Sequence, residues 1–185
     1  ELMALSLKLP DTLSALKEEV DPEEMAAIET LLTQVLATMD QSRQEEGALL
    51  ATEFESRIAN IYSLLEQVKE MDTYRMAAIK PRLEKALSDI TAPIDQTRLE
   101  QELIYYIEKY DITEEKVRLA GHLDYFTQTL SLQESQGKKL GFIAQEIGRE
   151  INTLGSKANH APMQQLVVQM KDELEKIKEQ LLNAL

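Results

Sequence analysis

Residues 137–160 read GKKLGFIAQEIGREINTLGSKANH, and their periodicity decides the fold class. An α-helix turns by about 100° per residue. On that wheel Ile143, Ile147, Ile151 and Leu154 gather in one narrow sector, a core-facing stripe. A neighbouring face carries Glu146, Arg149, Glu150, Thr153 and Lys157, with Asn152 and Ser156 close by. This mixture of functional groups is richer than the Glu and Lys that solubilise an ordinary helix.

Working outward, the same period recurs. Thr113 to Leu130 forms a helix, with Thr113 as the expected N-cap and Glu114 and Glu115 in its first turn. A helix from about Asp95 to Lys109 carries Leu99, Leu103, Tyr106 and Ile107. After a turn at Asn159–Pro162, a last helix holds Met163, Leu166, Met170, Leu174, Ile177 and Leu181 in a near-heptad seam. Upstream, Asp21-Pro22-Glu23-Glu24 is a helix start, and apolar residues recur at helical spacing to about Met71. A break is expected at Met71–Thr73, then a further stripe through Met76 and Ile90 with Pro81 as a kink or restart. Residues 91–95 and 131–137 read as loops. ELMALSLKL, residues 1–9, alternates weakly and is expected to be a strand remnant of an upstream domain, an expectation that Glu1 at the start supports.

The expected fold is all-α: an elongated helical bundle with a long arm helix and a C-terminal multi-helix domain. Its expected divisions are 1–20 as remnant or linker, 21–94 as a long oligomerisation arm, and 95–185 as the C-terminal domain. Composition agrees, with only six Gly and five Pro among 185 residues, 43% hydrophobic and 29% charged. The absence of Cys excludes disulfides and thiolate sites, and no apolar run is long enough to span a bilayer. A net charge of −13 argues against broad non-specific nucleic-acid binding but leaves room for a local site. Phosphate-loop, dinucleotide and HExxH motifs are absent.

Two polar constellations can carry chemistry. Glu146 and Glu150 are one turn apart, with Arg149 beside them. Carboxylates so placed can share a divalent cation, and the Arg can hold a phosphate. Glu115, Arg118 and His122, spaced three and four, share one face of the preceding helix, with Asp111 just before it. An imidazole can bind a metal or move a proton near neutral pH. The bland alternatives are a solvated face of weak ion pairs and a partly buried His.

These residues also resemble a known family. RLEQELIYYIEKYDITEEKVRLAGHLDYF, GKKLGFIAQEIGREINTLGSKAN and VVQMKDELEKIKEQ are similar to the C-terminal region of the bacterial YicC/YloC proteins. Matching positions include Asp111, Glu115, Arg118, His122, Gln145, Glu146, Arg149, Glu150, Asn152, Thr153, Ser156, Lys157 and Glu173. The resemblance implies a cytoplasmic, metal-dependent endoribonuclease that hydrolyses RNA, assembling as a homo-oligomer, a hexamer in the full-length protein. It also implies an N-terminal domain whose opening Ser-Met-Thr-Gly-Phe-Gly motif is not in this chain. On that footing the catalytic set is Glu146, Arg149, Glu150, His122 and Arg118. RNA phosphates fall to Arg118, Arg149, Lys157, Asn152 and Ser156. A divalent Mn or Mg ion falls to Glu115, His122, Glu146 and Glu150. Family acids are replaced by Gly141, His160 and the final Leu185, so a metal site resting on those positions is rebuilt or weakened. Whether this stretch is active alone stays open. The competing reading is a non-catalytic oligomeric scaffold or RNA-decay adaptor.

Overall fold

A computed structural model describes residues 2–6, 21–88, 96–132 and 136–182. Every element among them is helical: α1 (Leu2–Ser6), α2 (Pro22–Ser88), α3 (Gln96–Tyr110), α4 (Thr113–Leu130), α5 (Gly137–Ala158) and α6 (Ala161–Leu181). The all-α expectation is met. The strand expected over residues 1–9 is not: Leu2–Ser6 is a short helix, and residues 7–9 lie outside the described part. Among the described residues there is no strand with which it could pair. Also outside are the expected linker at 91–95 and residues 133–135 of the loop at 131–137.

The expected break at Met71–Thr73 is absent. α2 runs unbroken from Pro22 through Pro81 to Ser88. Its start follows the expectation, with the Asp21 carboxylate accepting the Glu23 amide at 3.0 Å. At 71–73 the polar side chains that suggested a turn have other work. Thr73 donates to the Lys69 carbonyl, and Asp72 is taken up by cations described below. At α4 the boundary is as expected but the cap differs. Thr113 is the first helical residue, and the Asp111 carboxylate accepts its amide at 2.8 Å.

The chain divides into two compact units, Glu1–Glu45 and Glu46–Leu185. In the first, α2 exposes Met25, Ile28, Leu32, Val35 and Met39 at alternating spacings of three and four. The second unit holds one core, to which α2 contributes Phe54, Ile58, Ile61, Leu65 and Val68. α4 packs on α5 and α5 on α6, joined by short connections that make neighbours antiparallel. α2 meets α4 through Phe54 edge-on to Phe126 and through Tyr62, whose hydroxyl donates to the Ala120 carbonyl at 3.0 Å and to Asp124. Burial, and then the Asp124 charge, push the Tyr62 hydroxyl well above the usual phenol range. The α6 seam is buried within this unit: Met163, Leu166, Met170, Leu174 and Ile177 all face the core.

α5 turns over into α6 at Asn159, whose φ of 38° and ψ of 42° end the helix in the left-handed conformation that Asn tolerates. Two glycines let α6 come close. A Cβ at Gly148 would meet Leu174 at 3.2 Å, and one at Gly155 would meet Val167 at 2.9 Å. Each glycine and its neighbour on α6 fix the same antiparallel register. Across α2 and α6, Glu173 accepts from Asn60 at 3.0 Å and Arg57 at 3.2 Å, as well as from Lys176 on its own helix at 2.9 Å. Lys176, with Asn60 and Arg57, holds the Glu173 carboxyl down at about 2.

Two outcomes follow from this packing. Gly155→Ala gains at most about 1 kcal/mol of helix propensity. It overlaps a stiff, buried Val167, and overpacking of that kind costs about 1–3 kcal/mol. The variant is therefore less stable than native in urea denaturation, whereas Gly121→Ala, with open space around it, is at least as stable. The second concerns acid. A depressed carboxyl contributes stability that is complete above its ordinary value of 4.5 and is lost as pH falls through about 2. The urea-midpoint gap between native protein and Glu173→Gln is thus expected to be widest near neutral pH and to close toward about pH 2.

Candidate functional site

α4 packs along α5, and one ion pair fixes how they align. Glu115 Oε1 accepts from Lys157 Nζ at 2.7 Å. α4 and α5 run antiparallel, so moving two turns along α4 corresponds to moving two turns back along α5. Seven residues shift a helix face by only about 20°. Glu115 plus seven is His122; Lys157 minus seven is Glu150. The register therefore sets His122 and Glu150 opposite one another, as a second rung on the same seam.

The two rungs differ in how they are satisfied. Glu115 is buried and held by Lys157, although its Oε2 is fully buried without a partner. Glu150 is only 9% exposed, yet among the described residues it has no hydrogen bond or ion pair. Nor has His122, which is half-buried. Neither a Glu150 oxygen nor a His122 ring nitrogen is among the fully buried unpartnered atoms, so water reaches both side chains.

Flanking the seam lie the remaining expected residues. Glu146 pairs with Arg149 at 2.6 Å, and Arg118 with Glu114, each within its own helix. The arginine side chains are well exposed, 54% for Arg118 and 71% for Arg149. Thr153 donates to the Arg149 carbonyl at 3.0 Å and Ser156 to the Thr153 carbonyl at 2.9 Å, so both hydroxyl protons are used within α5. Asn152 and Ser156 point outward, away from the seam. Lys157, expected to hold phosphate, is instead engaged by Glu115.

The expected cation site is not assembled by this chain. Among the described residues no three His, Asp or Glu side chains converge as a metal site. Glu115 is committed to Lys157 and Glu146 to Arg149. Glu115, His122, Glu146 and Glu150 thus do not fit a metal as placed within one chain. His160 lies in the α5–α6 turn, with its Nδ1 buried and unpartnered.

Sequence reasoning missed a buried ionic hub at one end of the seam. The Asp72 side chain is 6% exposed. Its Oδ1 accepts from Arg75 Nε at 2.9 Å and Nη2 at 2.7 Å, and its Oδ2 from Lys116 Nζ at 2.6 Å. The signal was present: Ile61, Leu65, Val68 and Asp72 continue one stripe, and an acid at a core position calls for a buried partner. Nearby, hydrogen bonds from the Thr113 hydroxyl and amide lower the Asp111 carboxyl, with help from the charges of Lys116 and Lys157. An open groove of about 340 Å³ between α2 and α6, lined by Asn60, Ser63, Gln169 and Asp172, is touched by none of the candidate residues.

Comparison with known proteins places this arrangement. Residues 64–184 match the family described as "Endoribonuclease YicC-like, C-terminal". A protein of Clostridioides difficile (strain 630), named "Probable endoribonuclease YicC", is 32% identical over 180 residues. One of the same name from Haemophilus influenzae is 29% identical over 180 residues. These alignments take in 95% and 96% of this chain and 61% of each relative, so the chain spans about three fifths of the relatives' length. Among the described residues no helix is long and apolar enough to cross a membrane. With more than half of its residues matched, the chain belongs to the YicC-like endoribonuclease family, by that family's C-terminal region.

Proposed function

We propose that the α4–α5 seam is the working part of an RNA-cleaving enzyme of the cytoplasm. The observation that carries this reading is the partnerless rung of His122 and Glu150, lying between two exposed arginines. An imidazole and a carboxylate that no other side chain holds and that water reaches are available to a ligand. Arg118 and Arg149 are tied only to surface acids of their own helices. Such exposed pairs contribute about 0–1 kcal/mol, so a phosphate can displace them cheaply. A guanidinium grips phosphate through two parallel N–H donors.

In this reading Arg118 and Arg149 hold phosphate oxygens and stabilise charge developing on phosphorus. His122 takes the proton from the attacking water as its oxygen bonds to phosphorus, the P–O bond to the leaving oxygen breaks, and the imidazolium gives that oxygen the proton, with the Glu150 charge nearby favouring the imidazolium. The resemblance also implies a divalent cation. The donors among the described residues do not converge to fit one. In the full-length protein, His122→Ala is expected to lower cleavage of a labelled RNA by about 10²- to 10⁴-fold while binding persists. Glu150→Gln lowers it less. Arg118→Ala with Arg149→Ala weakens RNA binding and flattens its salt dependence. Cleavage by His122→Ala at the native rate would remove the seam from the chemistry.

Homo-oligomeric assembly, with hexamers in the full-length protein, belongs to the same proposal. Its support is the exposed stripe of Met25, Ile28, Leu32, Val35 and Met39 in the first unit, whose three-four spacing suits a helical partner. That stripe also favours the scaffold reading, with which an enzyme is compatible. Leu32→Glu with Val35→Glu is expected to reduce the assembled mass measured by light scattering, with helix content retained. An unchanged mass would assign assembly to other surfaces.

A further inference from the structure

We infer that Arg75 is a positioning residue for the proposed cleavage, a role that rests on the reading of the seam above. Its guanidinium makes four hydrogen bonds to three groups. Two go to Asp72, as described. Nη1 donates to the Ala158 carbonyl at 2.9 Å, and Nη2 also donates to the Tyr110 carbonyl at 2.6 Å. Tyr110 is the last residue of α3 and Ala158 the last of α5. Carbonyls at helix ends have no partner within the helix and carry partial negative charge, which a cation satisfies. Arg75 is itself only 8% exposed, and Asp72 balances its charge.

What makes this more than a buried ion pair is where it holds the chain. Lys116, on the other oxygen of Asp72, adjoins Glu115 in sequence. Ala158 adjoins Lys157. The hub therefore grips α4 and α5 at the residues next to both members of the first rung. Helices are stiff over two turns, so whatever sets Glu115 against Lys157 also sets His122 against Glu150. A lysine at position 75 cannot reproduce the hold: one ammonium lacks the planar fork that reaches Asp72, Tyr110 and Ala158 together.

The chain contains no cysteine, which permits a direct test. In the full-length assembled protein, with any cysteine outside this chain replaced by Ser, His122→Cys with Glu150→Cys is oxidised, and the rate of disulfide formation reports the register. Adding Arg75→Lys is expected to slow that rate at least about fivefold. In the protein without engineered cysteines, Arg75→Lys lowers kcat by about ten- to a hundredfold while KM stays within about twofold, as misplacement by an ångström does. Should Arg75→Lys lose its helical circular dichroism, Lys116→Gln, which leaves the Arg75 bonds in place, shows the same changes at smaller size. No disulfide with Arg75 intact overturns the facing register. Equal rates with and without Arg75 overturn its hold on that register, and a slowed disulfide with unchanged kcat overturns its role in cleavage. If His122→Ala cleaves normally, the seam reading falls, and the disulfide rates alone then decide what Arg75 sets.

Discussion

Asp72 occupies a position on α2 where the periodicity calls for an apolar side chain. A carboxylate there loses its water and stays charged only if cations replace it. Arg75, one turn on, and Lys116, from α4, supply them. The geometry then propagates. Arg75 has donors left over after binding Asp72, and they reach the final carbonyls of α3 and α5. One buried acid thus draws four helices to a point. Removing one partner of a buried pair costs about 3–5 kcal/mol, against at most about 1 kcal/mol for an exposed pair. The hub therefore constrains the second unit more than the surface pairs of Glu146 with Arg149 or Glu114 with Arg118.

Much of the fold was legible because it depends on local period. The core face of α5, the limits of α4, the Asp21 cap and the buried seam of α6 all follow from spacing and capping chemistry. The unbroken course of α2 was not legible. Asp72 and Thr73 look like a turn until their tertiary and backbone partners are known. The heptad pattern of α6 is equally suited to a second chain or to the neighbouring α5, and only packing shows that it is used internally. At the site, spacing grouped Glu115 with His122 and Glu146 with Glu150 by face. It could not show that Lys157 reaches across to Glu115, which takes both from the sets first assigned to them.

The charge of −13 bears on how RNA would approach the proposed site. Along the seam each exposed arginine is neutralised by a glutamate one turn away, so the resting surface offers no strong cationic field. Phosphate must exchange with those glutamates instead of meeting bare cations. Such exchange favours a correctly spaced phosphate pair over a random polyanion, because displacing one surface acid gains little while fixing two phosphates gains twice. Overall acidity and the proposed local phosphate binding are therefore compatible.

The contrast between the two rungs separates a structural role from a functional one. Both lie at nearly the same phase of α4 and α5, and both place ionisable side chains at the margin of the core. The Glu115–Lys157 rung is closed at Oε1, while Oε2 is fully buried without a partner. The His122–Glu150 rung makes no bond within the described residues, and its polar atoms are not among the fully buried unpartnered ones, so water satisfies them. Packing in the second unit is supplied by Phe126, Ile147 and Ile151, so the rung is not needed to build the core. An enzyme gains from it. An imidazole and a carboxylate kept free of internal partners, at the edge of a rigid pair of helices, can form their strongest hydrogen bonds only when the reacting groups arrive.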